Sequence, residues 1–246
     1  GLLTSNCLLA HCVWLTEKDV KLIAESGATV LHNPVSNLKL ASGFFPLKLL
    51  KEQGVRIAIG TDGCSSNNNL SSLEEMKFAA LLPKYIEMDP KLYPATDVFH
   101  DATLSGHEAL QIDAGLIQEG KLADFILLKK NNALLTPNYN IISNLVYSAD
   151  SSSIDTVVCD GEIVMNRGIV ADEDLIIRKH ILNLMCKFET SWNDATLCFN
   201  ELPDVLIKLK ELEKDGLVVI VDDELIVPKN ARAFVRNTCM AFDLRM

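Results

Sequence analysis

One unit, repeated three times within the first 65 residues, limits the fold more than any other feature. An apolar run from Cys7 to Leu15 leads into a helical pattern opened by Thr16, with Asp19 three residues on, the spacing of a capping box. Val20, Ile23 and Ala24 recur at helical period, and Gly27 ends that helix. A second run, Thr29 to His32, stops at Asn33-Pro34, a turn signal. A helix from about Phe45 to Gln53 follows, closed by Gly54, and the third run is Val55 to Gly60, ending in Thr61-Asp62-Gly63. Short continuous apolar strands alternating with helices predict an α/β chain of parallel βα units, buried on both faces. His11, His32 and Asp62 each fall at the C-terminal end of a strand. In a βα barrel that end carries the active site.

The pattern then changes twice. Residues 66–118 read as helices around Leu70–Pro83 and Pro94–Leu110. From Gly120 to Gly168 short β-type runs (Asp124–Leu128, Thr156–Cys159, Glu162–Met165) alternate with turn residues, and Asp160-Gly161 is a hairpin dipeptide. Beyond about Ala171 the spacing of Leu175, Ile181, Leu184 and Met185 predicts a helix. Leu202, Val205, Leu206, Leu209 and Leu212 predict a second, stopped at Gly216. A hairpin across Asp222-Asp223 and a last helix from about Asn230 complete a winged-helix-like module. The expected domains are therefore 1–118, 119–170 and 171–246.

Composition excludes several functions. The net charge of -10 argues against a nucleic-acid binder, which concentrates Lys and Arg to neutralise phosphates. No run approaches the roughly 20 apolar residues of a membrane span, and the apolar start has no basic segment before it and no cleavage site. Seven cysteines without a CxxC pair read as reduced, buried thiols of a cytoplasmic protein. The chain opens on Gly1 and enters a strand within a few residues, which reads as a piece of something longer.

Asp62 is the sharpest candidate for chemistry. A carboxylate at a strand end, followed by Gly63 and the polar loop Cys64-Ser65-Ser66-Asn67-Asn68-Asn69, suits a divalent metal or the proton of a metal-bound water. It equally suits the cap of the next helix. His11 and His32, one βα unit apart, either converge above neighbouring strands or are satisfied core residues. His107 sits on a helix, where it packs or caps, and His100 and His180 have no supporting context.

Five motifs carry a resemblance. They are Ala10-His11-Cys12-Val13-Trp14-Leu15, His32-Asn33-Pro34-Val35-Ser36-Asn37-Leu38-Lys39-Leu40, Gly60-Thr61-Asp62-Gly63, Ser66-Asn67-Asn68 and Glu119-Gly120-Lys121-Leu122-Ala123-Asp124. In this order and spacing, residues 1–170 resemble the C-terminal part of the amidohydrolase superfamily. The group they resemble holds the methylthioadenosine/S-adenosylhomocysteine deaminases and the triazine chlorohydrolase-like proteins. The resemblance implies the last three strands of a (βα) barrel plus part of a small β-sandwich. It implies that His11 ends strand six and contacts substrate, as would His32 and Asn67. Asp62 would end strand eight as metal ligand and proton acceptor. The implied reaction is hydrolytic deamination of a purine-like substrate, with Zn²⁺ or Fe²⁺ activating the water. The family takes further metal ligands from a His-x-His, and this sequence contains none. Three strands cannot close a barrel, so the catalytic site is expected to be incomplete in this chain. A non-catalytic fusion or interaction fragment, associating through an open sheet edge, is the alternative.

The tail resembles another family. Ile181–Phe188, Glu213–Val218, Ala231–Asn237 and Met240-Ala241-Phe242-Asp243 are similar to the C-terminal region of oxygen-independent coproporphyrinogen III oxidase. The cysteine motif that would hold that enzyme's iron–sulfur cluster is absent. Arg232 and Arg236, four apart, are expected on one helix face.

Overall fold

Local signals place the first elements, and two positive backbone angles shorten the first strand. In the structure, a computed structural model that describes residues 2–170 and 172–242, β1 (Leu8–Ala10) is only three residues long. His11 (φ 68°) and Cys12 (φ 48°) are both left-handed and turn the chain out of the sheet well before Leu15. α1 (Glu17–Ser26) opens with the expected capping box, Thr16 and Asp19 each accepting from the other's backbone N–H. Such a cap is worth about 1 kcal/mol. β2 (Thr29–His32) matches its apolar run. Asn33-Pro34 does not stop the chain in a turn but opens α2 (Pro34–Lys39), because Pro34 occupies the first helical turn, where a missing N–H costs nothing. α3 (Leu47–Glu52) and β3 (Arg56–Ile59) complete the repeat.

The chain divides into two units, residues 1–157 and 158–246. In the first, β1, β2 and β3 form a parallel sheet in that order, with Leu8 opposite Thr29 and Thr29 opposite Arg56. Helices α4 (Cys64–Asn67), α5 (Ser72–Ile86), α6 (Ala95–Ala102) and α7 (Leu104–Leu110) follow, then β4 (Phe125–Leu128), α8 (Ile141–Tyr147) and β5 (Ile154–Cys159). Val20, Val30, Leu50, Ile57, Ala79 and Val98 are completely buried between sheet and helices. Burial of each large aliphatic among them contributes about 1.5–3 kcal/mol. The expectation that all three strands are buried on both faces fails at the two edge strands of this sheet, where Leu8 of β1 and Arg56 of β3 are exposed; among the described residues each has a strand neighbour on one side only. A polar knot pins α6 to α3: the buried Asp101 carboxylate accepts from Lys51 Nζ at 2.7 Å and from Tyr93 OH at 2.8 Å. His100 and His107, in α6 and α7, contact Asp101 Oδ1 (3.1 Å) and the Thr103 carbonyl (2.9 Å).

The second unit holds the end of β5, then β6 (Glu162–Asn166) and β7 (Ile169–Val170), an antiparallel pair joined through left-handed Arg167 and Gly168. Asp160 and Gly161 are left-handed together, as their hairpin signal requires. α9 (Asp172–Lys187), β8 (Glu189–Ser191), α10 (Leu202–Lys214), β9 (Val219–Val221), β10 (Glu224–Ile226) and α11 (Val235–Ala241) follow. Their sheet is antiparallel in the order β8-β10-β9 and packs on Leu184, Val205, Leu209 and Phe242. The central residue of β10, Leu225, is fully buried.

Three sequence expectations are corrected here. His180 has a clear context: it is fully buried, and its Nε2 lies 2.8 Å from the Leu197 carbonyl while Nδ1 lies 2.8 Å from Thr190 Oγ1. A carbonyl only accepts, so the ring proton sits on Nε2 and Nδ1 accepts from the hydroxyl. Arg232 and Arg236 do not share one α-helix, since Arg232 lies in the 3₁₀ turn Lys229–Phe234 and stacks over Phe188 at 4.2 Å. The seven cysteines are free, but none is fully buried, and Cys64, Cys186 and Cys198 are exposed. An apolar run wound into a helix still has an outward face, and Cys186 of α9 lies on it. No helix among the described residues is long and apolar enough to cross a membrane. Gly1, Ala171 and Asp243, which enter the chain-start, domain-boundary and tail-motif expectations, lie outside the described residues.

Candidate functional site

Three loops at the C-terminal ends of β1, β2 and β3 bring His11, Asp62 and their partners together. His11 follows β1 and continues its pairing by donating its N–H to the Leu31 carbonyl at 2.9 Å. The left-handed turn then throws the imidazole toward α2, where Nδ1 meets Asn37 Oδ1 at 2.8 Å. The amide oxygen only accepts, so Nδ1 carries a proton, and in the neutral ring Nε2 is the bare nitrogen. That Nε2 lies 3.7 Å from Asp62 Oδ2.

Asp62 is left-handed as well (φ 58°). Its Oδ2 accepts from Ser36 Oγ at 2.6 Å and its Oδ1 from the Gly63 N–H at 2.7 Å. The Ser36 hydroxyl, the Gly63 amide and the Ser66 hydroxyl hold the carboxyl below the usual carboxylate range, with a smaller attraction from His11 when its ring is protonated. Asp62 is not the cap of the next helix: Gly63 occupies that position and α4 has no side-chain cap.

Asn67 lies in α4 and is buried. Its Nδ2 donates to the Thr61 carbonyl and to Glu75 Oε1, both at 2.6 Å. The NH₂ group is thus committed, while Oδ1 is buried without a hydrogen bond. Glu75 escaped the sequence reading. It sits in the first turn of α5, is 1% exposed, and accepts the Val35 N–H on its other oxygen at 3.1 Å. Burial pushes its pKa up, against the Val35 and Asn67 hydrogen bonds that pull it down. Lys39 ties the same loops from outside, donating to the Ser65 carbonyl and to Asn68 Oδ1.

His32 ends β2 but does not touch His11 or Asp62. It is buried and stacked on Phe45 at a centroid distance of 3.9 Å. Burial lowers its pKa to about 3, so the ring is neutral. It lines a small apolar cavity that Asn37, Phe44 and Phe45 also wall. Trp14 is exposed and anchored by its indole N–H to the Ser42 carbonyl at 2.8 Å.

A catalytic zinc takes about three protein ligands. Asp62 and His11 offer one carboxylate oxygen pair and one imidazole nitrogen. Among the described residues no three His, Cys, Asp or Glu side chains converge. The described residues by themselves therefore do not make up a metal site.

Comparison with known proteins gives a consistent answer. The amidohydrolase family profile matches residues 1–164. The chain is 46% identical over 184 residues to the 5'-deoxyadenosine deaminase of Methanothermobacter thermautotrophicus, covering 75% of this chain and 42% of that protein. It is 48% identical over 165 residues to the 5-methylthioadenosine/S-adenosylhomocysteine deaminase of Thermococcus kodakarensis, covering 67% and 39%. A zinc-bound adenosine deaminase from Xanthomonas campestris superposes on 70% of this chain and 40% of its own, with a TM-score of 0.67 and 36% identity. The chain thus spans about two fifths of the length of the curated relatives it matches.

Proposed function

Because the chain belongs to the amidohydrolase family, we propose that His11 and Asp62 are the part of a metal-dependent deaminase site that this chain contributes, acting on an adenosine-type nucleoside. The observation that carries the reading is the facing of the His11 imidazole and the Asp62 carboxylate across 3.7 Å at the C-terminal ends of parallel strands. Hydrolytic deamination adds the oxygen of water to the ring carbon, breaks the C–N bond and moves a proton from the water to the departing amine. A carboxylate held ionised suits the first proton transfer, and a bare imidazole nitrogen beside it suits a hydrogen bond to the attacking oxygen. His32 and Asn67 act on this pair from behind rather than on substrate, since both are buried and Asn67 is bonded within its loop. Asp62 is the residue of this chain that would hold the metal, which would supply the activated water.

In this reading β1–β3 are three strands of a (βα) barrel and residues 119–170 part of a β-sandwich. Residues 171–246 are a winged-helix-like module, supported by the strand order β8-β10-β9 and the helices before it. The family match ends at residue 164, and the expected likeness of the tail to oxygen-independent coproporphyrinogen III oxidase finds no support in these matches. Free cysteines suit the reducing cytoplasm.

The test uses the product of the complete reading frame that encodes this chain. It is expected to release ammonia from 5'-deoxyadenosine or 5'-methylthioadenosine, and Asp62→Asn is expected to lower kcat about 10²–10⁴-fold. Full activity in the Asp62→Asn variant would overturn the role of Asp62, and zinc-loaded protein without ammonia release would overturn the reaction. A second reading, a non-catalytic interaction fragment, is favoured by the outer edges of β1 and β3, which pair with no further strand among the described residues. It requires the isolated chain to self-associate, and elution as a monomer in gel filtration counts against it.

A further inference from the structure

Two side chains that line one cavity behind the site each bury a polar atom without a partner. Among the described residues, His32 Nδ1 and Asn37 Nδ2 are both shielded from solvent and both lack a hydrogen bond. A buried polar group left without a hydrogen bond forfeits the water it had in the unfolded chain. The two side chains line the same cavity, whose other walls are apolar groups of Leu38, Phe45, Leu82 and Pro83. Its volume is about 20 Å³. That is above the roughly 10–15 Å³ that one water needs and far too small for a nucleoside.

We propose that this cavity is the binding site of one ordered water, which bridges His32 to Asn37 and makes His32 a positioning residue for His11. The hydrogen-bond directions are consistent along the whole row. Asn37 Oδ1 accepts from His11 Nδ1 at 2.8 Å, which leaves the Asn37 NH₂ group to donate to the water. The water donates to His32 Nδ1, which must then be bare, so the single proton of the neutral His32 ring sits on Nε2. His32 also stacks on Phe45, a contact that carries no hydrogen bond of this row. One molecule thus satisfies both orphaned atoms and fixes the amide that holds His11. The bare His11 Nε2 facing Asp62 is the outcome of a chain of bonds that begins one strand away.

The inference rests on geometry, and its readouts need no turnover, so it and the deaminase reading can fail separately. In a crystal structure of the chain, a water is expected within hydrogen-bond distance of both His32 Nδ1 and Asn37 Nδ2. Density without a water there overturns the proposal. Imidazole ¹⁵N spectra at about pH 8, above the ordinary histidine pKa of about 6.5, are expected to show His32 protonated at Nε2 and His11 at Nδ1. His32→Phe keeps the stack but removes the acceptor, and it is expected to shift the His11 signals away from a dominant Nδ1–H form. Phe45→Leu removes the stack, keeps the acceptor, and is expected to leave the His11 form unchanged. A His11 spectrum that stays the same in His32→Phe, or that shifts equally in Phe45→Leu, overturns the positioning role.

Discussion

Glu75 binds two of the three site loops into one frame, and its replacement by alanine or glutamine measures that tie. Its carboxylate accepts the Val35 N–H and the Asn67 amide, and the residue is 1% exposed. Glu75→Ala strands both donors. At about 1–3 kcal/mol for each buried unsatisfied group, the first unit loses about 2–6 kcal/mol. Glu75→Gln keeps one acceptor oxygen and turns an NH₂ toward the other donor, so its loss is about 1–3 kcal/mol. The pH dependence separates the two costs further. Burial is the largest influence on Glu75 and raises its pKa, with Glu74 and Asp62 pushing the same way. Between the ordinary glutamate value of about 4.3 and the raised native value, the folded protein holds a proton that the unfolded chain has released. Wild-type stability therefore falls as pH rises through that window and levels off above it. Glutamine has no such step. The deficit of Glu75→Gln is thus expected to be largest near pH 4 and to narrow as pH rises. Amide hydrogen exchange in β2 and α5 reports the first unit alone and reads both quantities. A deficit independent of pH, or an alanine variant within about 0.5 kcal/mol of wild type, would refute the argument.

Two other perturbations have a definite sign. Ser36→Ala removes the strongest influence holding Asp62 ionised. Its carboxyl carbon, followed by ¹³C NMR, is expected to titrate at higher pH than in wild type. The stability that ionised Asp62 contributes, present above about pH 3.9 and lost as pH falls through its depressed value, shrinks with it. In the second unit, burial lowers the His180 pKa. Protonation then favours the unfolded chain, and stability falls as pH drops below about 6.5. Trp192, buried in the same core, reports this by fluorescence, and His180→Gln is expected to abolish the acid-side loss.

The parts of the molecule that were legible in the sequence are those fixed by neighbours in the chain. Thr16 and Asp19 announce α1 because a capping box closes within four residues. Thr29–His32 reads as a strand because a parallel strand buried on both faces is continuously apolar. β8 escaped for the opposite reason. Glu189-Thr190-Ser191 is polar and three residues long, and only its pairing with β10 makes it a strand. Glu75 escaped likewise. A glutamate in the first turn after a Ser71 cap reads as a solvated acid favoured by the helix dipole. Its burial is created by Asn67 and by Val35, 40 residues earlier. Strand-end position pointed to His11 and Asp62, but the left-handed turns that aim them at each other had no glycine to mark them.

The contacts around those two side chains share one origin. Ser36 holds Asp62, Asn37 holds His11, the Val35 amide anchors Glu75, and Lys39 reaches the loop after β3. All four belong to α2, the segment behind β2. Two site residues 51 positions apart are therefore oriented by adjacent side chains of one six-residue helix. Ser36 is fully buried and Asn37 nearly so, which leaves the helix little room to adjust one contact without the other. This makes non-additivity the expected result. In a double-mutant cycle, Ser36→Ala and Asn37→Ala should couple by about 0.5–3 kcal/mol in unfolding free energy. Ser36→Ala paired with Val98→Ala, in the core and without a shared partner, should add within about 0.5 kcal/mol. Equal coupling in both cycles would mean that α2 transmits nothing between the two site residues, and that His11 and Asp62 are held independently.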